Sequence, residues 1–188
     1  VTGHRGFAGS AVVRALEQRG YTNLLLRSHS ELDLTDQRAV HEFFQTEKPE
    51  YVFNLAAKMG GIWAAMTESA EFIYENLMIQ SNVIHSAYLS GVKKLLFVSS
   101  TSIFPRDCPQ PIKEEHLLTG PMEPTNLSYA IARIAGIVMC QAYDKQYGTR
   151  FISALATNLY GPNDDFDVTR SHVFSAMIRK FHEAVQNG

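Results

Sequence analysis

Val1-Thr2-Gly3-His4-Arg5-Gly6-Phe7-Ala8-Gly9 runs from two β-favouring residues through three glycines spaced by three, and then into Ala11, Val12, Ala15 and Leu16 at helical intervals. Gly20 ends that helical pattern. Strand, glycine loop and helix in this order let backbone N–H groups approach a pyrophosphate, whose charge the helix N-terminus favours. The spacing is GxxGxxG rather than GxGxxG. A plain glycine-rich turn remains the alternative reading of these residues alone.

Moving along the chain, Leu24-Leu25-Leu26 reads as a second strand that ends at Arg27, Ser28 and His29. Leu32-Asp33-Leu34 leads to a helix begun near Thr35 or Asp36, with Val40, Phe43 and Phe44 inward. Tyr51–Leu55 reads as a third strand running into the small residues Ala56 and Ala57, which leave room for a flat ligand. Gly60-Gly61 makes the next loop, in which Trp63 is expected to pack. A long helix follows over about 70–90, with Phe72, Ile73, Val83, Ile84 and Ala87 as its apolar face. Lys94–Val98 is a fourth strand opening into Ser99, Ser100, Thr101 and Ser102. Residues 103–124 hold five of the seven prolines, which marks an irregular loop. A helix runs from near Tyr129 to Tyr147, and Phe151–Leu155 is a fifth strand leading into Ala156, Thr157, Asn158 and Leu159. The last helix opens at His172, turns Val173, Met177 and Phe181 inward and ends in Gly188. Strands alternating with helices predict an α/β fold with a parallel, doubly wound sheet in one domain over residues 1–188. Ligands bind such sheets at the carboxyl ends of the strands.

Composition excludes several classes. Seventeen basic against nineteen acidic residues give a net charge of −2, so neither nucleic acid nor an anionic membrane is expected as a partner. No apolar run reaches the ~18 residues of a membrane span, and no signal peptide is read at the start. Cys108 and Cys140 lack metal-ligand spacing and suit a reducing compartment. Asp164, Asp165 and Asp167 superficially resemble a metal cluster, but no further ligand pattern supports one; they read as a polar loop, and no metal is assigned.

Tyr129 and Arg133 stand four apart on one helical face, beginning after Pro124, Thr125 and Asn126, whose side chains suit a helix cap. A cation held near a phenol lowers its pKa from ~10. The alternative is an ordinary surface contact. Arg5, Arg27 and His29 suit a ligand's 2′-phosphate, or else form a solvated turn. Asp33 is either a contact to an adenine edge or a local turn acceptor.

Together, Gly3-x-x-Gly6-x-x-Gly9, Ser100 and Tyr129 four residues before a cation resemble the extended short-chain dehydrogenase/reductase superfamily. Gly3-His4-Arg5-Gly6, Ala56–Ile62, Glu123–Asn126, Thr157–Pro162 and Ser171-His172-Val173 narrow the resemblance to the GDP-L-fucose synthase family. The resemblance implies a Rossmann-type fold and NADP(H) as cofactor. It implies conversion of GDP-4-keto-6-deoxy-D-mannose to GDP-L-fucose by epimerisation beside the keto group and then reduction at C4. Tyr129 would protonate the developing alkoxide, Ser100 would hydrogen-bond it, Arg133 would hold the nicotinamide ribose and His172 would act as acid or base. Residues Gly3–Gly9, Arg27, His29, Asp33, Leu34, Ala56, Ala57, Val98–Thr101 and Ala156–Leu159 would surround the cofactor, with Tyr129, Arg133 and His172. Lys180 would lie towards the GDP phosphates. A cytoplasmic homodimer built on the long helices is also implied.

The resemblance implies Lys at the position of Arg133, the catalytic Cys of epimerisation at the position of Ser102, which makes Ser102 a catalytic candidate, and Pro at the position of Ala156. Arg keeps the charge but cannot relay a proton. A hydroxyl is a weaker acid than a thiol, which argues against epimerisation. By the same comparison, most of the first strand and the C-terminal substrate domain are lacking. The alternatives are another NDP-sugar epimerase or dehydratase, against which His4-Arg5 and Ser171-His172-Val173 argue, and a non-catalytic dinucleotide-binding protein.

Overall fold

Alternating side chains along three short apolar runs build the sheet. In the computed structural model, which describes residues 1–167 and 171–187, these runs are β1 (Tyr51–Asn54), β2 (Lys94–Ser100) and β3 (Phe151–Ala156), in the order β1-β2-β3. Both pairings are parallel, with Val52 opposite Leu95 and Leu95 opposite Phe151. This register puts Val52, Asn54, Leu95, Phe97 and Phe151 on one buried face, while Phe53, Leu96 and Ile152 point to a more open one. The α/β class with a parallel, crossover-connected sheet is therefore the architecture observed.

Helices α4 (Ser69–Leu89) and α5 (Leu127–Tyr147) pack on each other, and α5 covers β2 and β3. Helix α2 (Gln37–Glu47) lies against α4. The core they enclose includes Val40, Phe44, Val83, Ile84, Leu95, Phe97 and Ile137. Their ends follow local chemistry. Asp36 accepts the Ala39 N–H at 3.0 Å to start α2, and Gly148 adopts φ 66° to end α5.

Four expectations are corrected. Leu24–Leu26 forms no strand; the Leu25 carbonyl accepts the Val1 amino group at 3.1 Å, with no ladder over these residues. Thr2 itself bridges to Asn54 in parallel. The Gly60-Gly61 stretch opens a short helix, α3 (Ile62–Thr67), on which Trp63 is 67% exposed rather than packed. Asn126 does not cap α5 with its side chain. In α6 (Val173–Asn187), Ser175 and Ala176 are buried, whereas Val173, Met177 and Phe181 face outward because no described element packs on their side. Gly188, expected to end this helix, lies outside the described residues.

Candidate functional site

The glycine loop follows Thr2, beside the carboxyl end of β1. Thr2 Oγ1 donates to Asn54 Oδ1 at 2.8 Å and accepts the N–H groups of Leu55 and Ala56, both at 3.1 Å. Gly3 has φ 67°, and a Cβ there would stand 2.9 Å from the Ala56 backbone. A Cβ on Gly9 would overlap the Gly3 carbonyl. Glycine is thus demanded at both positions by close backbone approach. Helix α1 (Phe7–Gln18) begins after Gly6, which has no side chain to cap it, so first-turn N–H groups remain for an anion. Beside this loop, burial and the neighbouring Arg5 hold the His4 imidazole below its usual pKa, and its buried Nδ1 has no partner.

The turn after Leu26 holds mixed charges. Arg27 pairs with Glu47 at 2.7 Å and lies over the Phe43 ring, while His29 is open to solvent, 3.9 Å from Asp33. Asp33 Oδ1 accepts the N–H and hydroxyl of Thr35, which hold its carboxyl below the usual range; this is the local turn contact. Leu34 is half-buried against the core. Glu31 was not anticipated. It folds back to accept the Ser28 hydroxyl at 2.5 Å and the Ser28 N–H at 2.7 Å, and these bonds hold its carboxyl below the usual range. The Ser28-x-x-Glu31 spacing is its sequence signal.

Ala56 and Ala57 enter a loop clamped from α4. Asn76 Oδ1 accepts the Lys58 N–H and its Nδ2 donates to the Lys58 carbonyl, each at 3.1 Å. Asn76 is fully buried among apolar positions, and nothing in the local sequence marks it.

Val98, Ser99 and Ser100 close β2, and Thr101 starts a 3₁₀ turn that contacts α5. Ser102 donates its N–H and its hydroxyl to Ser100 Oγ, at 3.2 and 3.0 Å. Asn126 Nδ2 in turn donates to Ser102 Oγ at 3.2 Å. Tyr129 packs with Ala64, Ala65 and Phe72. Arg133 turns inward rather than onto the surface. Its guanidinium lies 4.2 Å from the Phe97 centroid and 6.0 Å from that of Tyr129, and its Nη2 donates to the Val98 carbonyl. Among the described residues its buried Nε and Nη1 have no partners. Burial pushes the Tyr129 phenol above its usual pKa, and Arg133 only partly opposes that. This corrects the expected depression, because desolvation outweighs the neighbouring charge.

The glycine loop, Ser100, Ser102 and the Tyr129/Arg133 face therefore gather at the carboxyl edge of the sheet. Thr157, Asn158 and Leu159 follow β3 at the same edge and are exposed, with Ala156 half-buried. Asn163 ties this segment to α1 by donating to Ser10 Oγ at 3.1 Å. His172 is exposed without a side-chain hydrogen bond among the described residues, and Lys180 is exposed on α6. Asp164 accepts the Ser175 hydroxyl at 2.5 Å, a helix-start contact.

A family model for the NAD dependent epimerase/dehydratase family matches residues 1–187. GDP-L-fucose synthase 1 of Arabidopsis thaliana is 59% identical over all of this chain and 58% of its own length. The GDP-L-fucose synthase of Escherichia coli K12 is 53% identical over 98% of this chain and 57% of its own length. The chain thus spans a little over half the length of these relatives. Among solved structures, a GDP-mannoheptose C4 reductase from Campylobacter jejuni with NADP bound matches with a TM-score of 0.90. It is 49% identical, over 97% of this chain and 54% of that one.

Proposed function

This chain belongs to the NAD dependent epimerase/dehydratase family, and from that premise we propose that it is the cofactor domain, over residues 1–188, of an NADPH-dependent enzyme of GDP-sugar synthesis. The first reading of its reaction is the conversion of GDP-4-keto-6-deoxy-D-mannose to GDP-L-fucose. The observation that carries it is the single sheet edge shared by the glycine loop, Ser100 and the Tyr129/Arg133 face.

The residues present fit the cofactor. Gly3 and Gly9 stand where a Cβ would meet backbone, which keeps the loop tight against the uncapped start of α1 and its free first-turn N–H groups. Arg133 offers two buried, unpartnered N–H groups suited to ribose hydroxyls. Arg5 and His29 stand near the turn assigned to the 2′-phosphate, with Arg27 already paired to Glu47. When bound, NADPH supplies hydride to the C4 carbonyl carbon. Tyr129 donates its proton to the resulting alkoxide, for which a buried neutral phenol is suited, and Ser100 hydrogen-bonds the same oxygen. His172 serves as acid or base at the neighbouring carbons, and Lys180 lies towards the substrate phosphates.

The exposed Tyr74 on α4 and Ile131 and Val138 on α5 support a homodimer formed through these helices. The cytoplasm is the proposed compartment, in keeping with two free cysteines. No helix among the described residues is long and apolar enough to cross a membrane.

A second reading is C4 reduction without epimerisation. It is favoured by Ser102, whose hydroxyl proton is already engaged by Ser100. Incubating the full-length protein with NADPH and GDP-4-keto-6-deoxymannose tests both readings. GDP-L-fucose as product supports the first, an unepimerised GDP-6-deoxyhexose the second, and no NADPH consumption removes both. NADPH is expected to bind more tightly than NADH; equal affinities would remove the 2′-phosphate assignment.

A further inference from the structure

A serine hydroxyl has one proton to donate and two positions at which to accept. At Ser100 both accepting positions are filled from the same residue, by the Ser102 N–H at 3.2 Å and the Ser102 hydroxyl at 3.0 Å. The remaining possibility for Ser100 is donation, and no acceptor among the described residues takes its proton. Ser102 is set in the same sense. Its oxygen accepts from Asn126 Nδ2 at 3.2 Å, which directs its own proton to Ser100. The Asn126 amide is fixed by a second contact, to the Ser102 carbonyl at 3.4 Å.

We propose that Asn126 and Ser102 are positioning residues that form a one-way chain, Asn126 to Ser102 to Ser100, committing the Ser100 proton outward to a ligand oxygen. A group met there must be a pure acceptor, such as a ketone oxygen or the alkoxide formed from it; a hydroxyl that needs to donate finds no lone pair. The chain polarises in the direction that strengthens as negative charge grows on that oxygen. This inference rests on the ketone-reducing reading above. It adds to that reading a directional role for the Asn126 amide and the Ser102 hydroxyl.

The test uses the full-length protein, NADPH and the GDP-linked ketone. Ser102→Ala removes the hydroxyl donor to Ser100 and is expected to lower kcat ~10-fold, a part of the ~10²–10³ that an entire oxyanion donor supplies. KM should move less than two-fold. Ser102→Thr keeps the hydroxyl and should recover most of kcat. Asn126→Asp replaces a donor with an acceptor, so Ser102 turns away and Ser100 donates inward. It should lose more kcat than Asn126→Ala, and the extra loss should vanish in a Ser102→Ala background. An unchanged kcat in Ser102→Ala, or equal losses for the two Asn126 variants, overturns the proposal. Nitrogen-15 NMR of the same protein judges the chain even without turnover. Ser102→Ala should shift the Asn126 side-chain amide resonances, and Ser100→Ala should speed exchange of the Ser102 N–H. Unchanged Asn126 resonances would also overturn it.

Discussion

Arg133 is a fully buried charge with an incomplete set of partners. Its stacking on Phe97 contributes up to ~2 kcal/mol when desolvated, whereas each unpaired buried donor costs ~1–3 kcal/mol. The unpaired groups win, so the ligand-free protein carries a penalty, which ribose acceptors would remove in the role proposed for Arg133. Arg133→Met is therefore expected to raise the stability of the ligand-free protein by ~1–3 kcal/mol, to lower turnover, and to shrink the Tm increase caused by NADPH. Calorimetry with and without cofactor checks the sign; a destabilised variant with the full NADPH shift would refute it. Tyr129 adds a pH prediction. In the proposed role the donor is the neutral phenol, and burial raises its pKa, so the alkaline loss of reductase rate assigned to it is expected at higher pH than a free phenol would give. A pH–rate profile for Tyr129 with an alkaline limb near 8 would contradict this. The four-residue spacing of Tyr129 and Arg133 was legible in the sequence as a shared face. That this face turns into the core was not, and the direction of the Tyr129 shift depends on it.

Between α4, α5 and β2 the contact is set by one missing methyl group. A Cβ on Gly136 would come within 2.7 Å of the Phe97 ring and 2.9 Å of Gln80 Oε1, both on fully buried residues. Alanine gains up to ~1 kcal/mol of helix propensity over glycine, but overpacking a closed core costs ~1–3 kcal/mol. Gly136→Ala should thus destabilise by ~1–2 kcal/mol, read as a lower denaturant midpoint at constant slope. Element ends were legible where their cause is local, as at Asp36 and Gly148. The buried amides were not, because their partners are distant. Asn76 reaches Lys58 across 18 residues, Asn82 reaches Leu34 across 48 and Gln80 reaches Ala132 across 52.

At the scale of the molecule, an exposed apolar stripe among the described residues runs along α6 through Val173, Phe174, Met177, Ile178, Phe181 and Val185. Patches of this kind mark contact surfaces, and the expected cover here is a segment or partner packed against α6. Phe181→Ser should lower the stability of the full-length protein by ~2–4 kcal/mol, as for loss of a buried aromatic, yet leave the isolated 188-residue stretch nearly unchanged in Tm and more soluble. Equal effects in both would show the stripe to be bare in each. The helix was legible from its period, but the side it buries depends on what packs there. The opposite end of the design is the Gly3–Ala56 contact, where two backbones meet without a side chain between them. The edge proposed to receive a ligand is therefore shaped by main chain at Gly3 and Ala56, while His4, Arg5, Ser102 and Arg133 furnish its side chains. Such a frame is evolvable. Its side chains can be exchanged and the preferred sugar or reaction redirected, whereas Gly3 and Gly9 admit no Cβ without a backbone clash. Proteins as differently described as a fucose synthase and a heptose reductase can then share one scaffold.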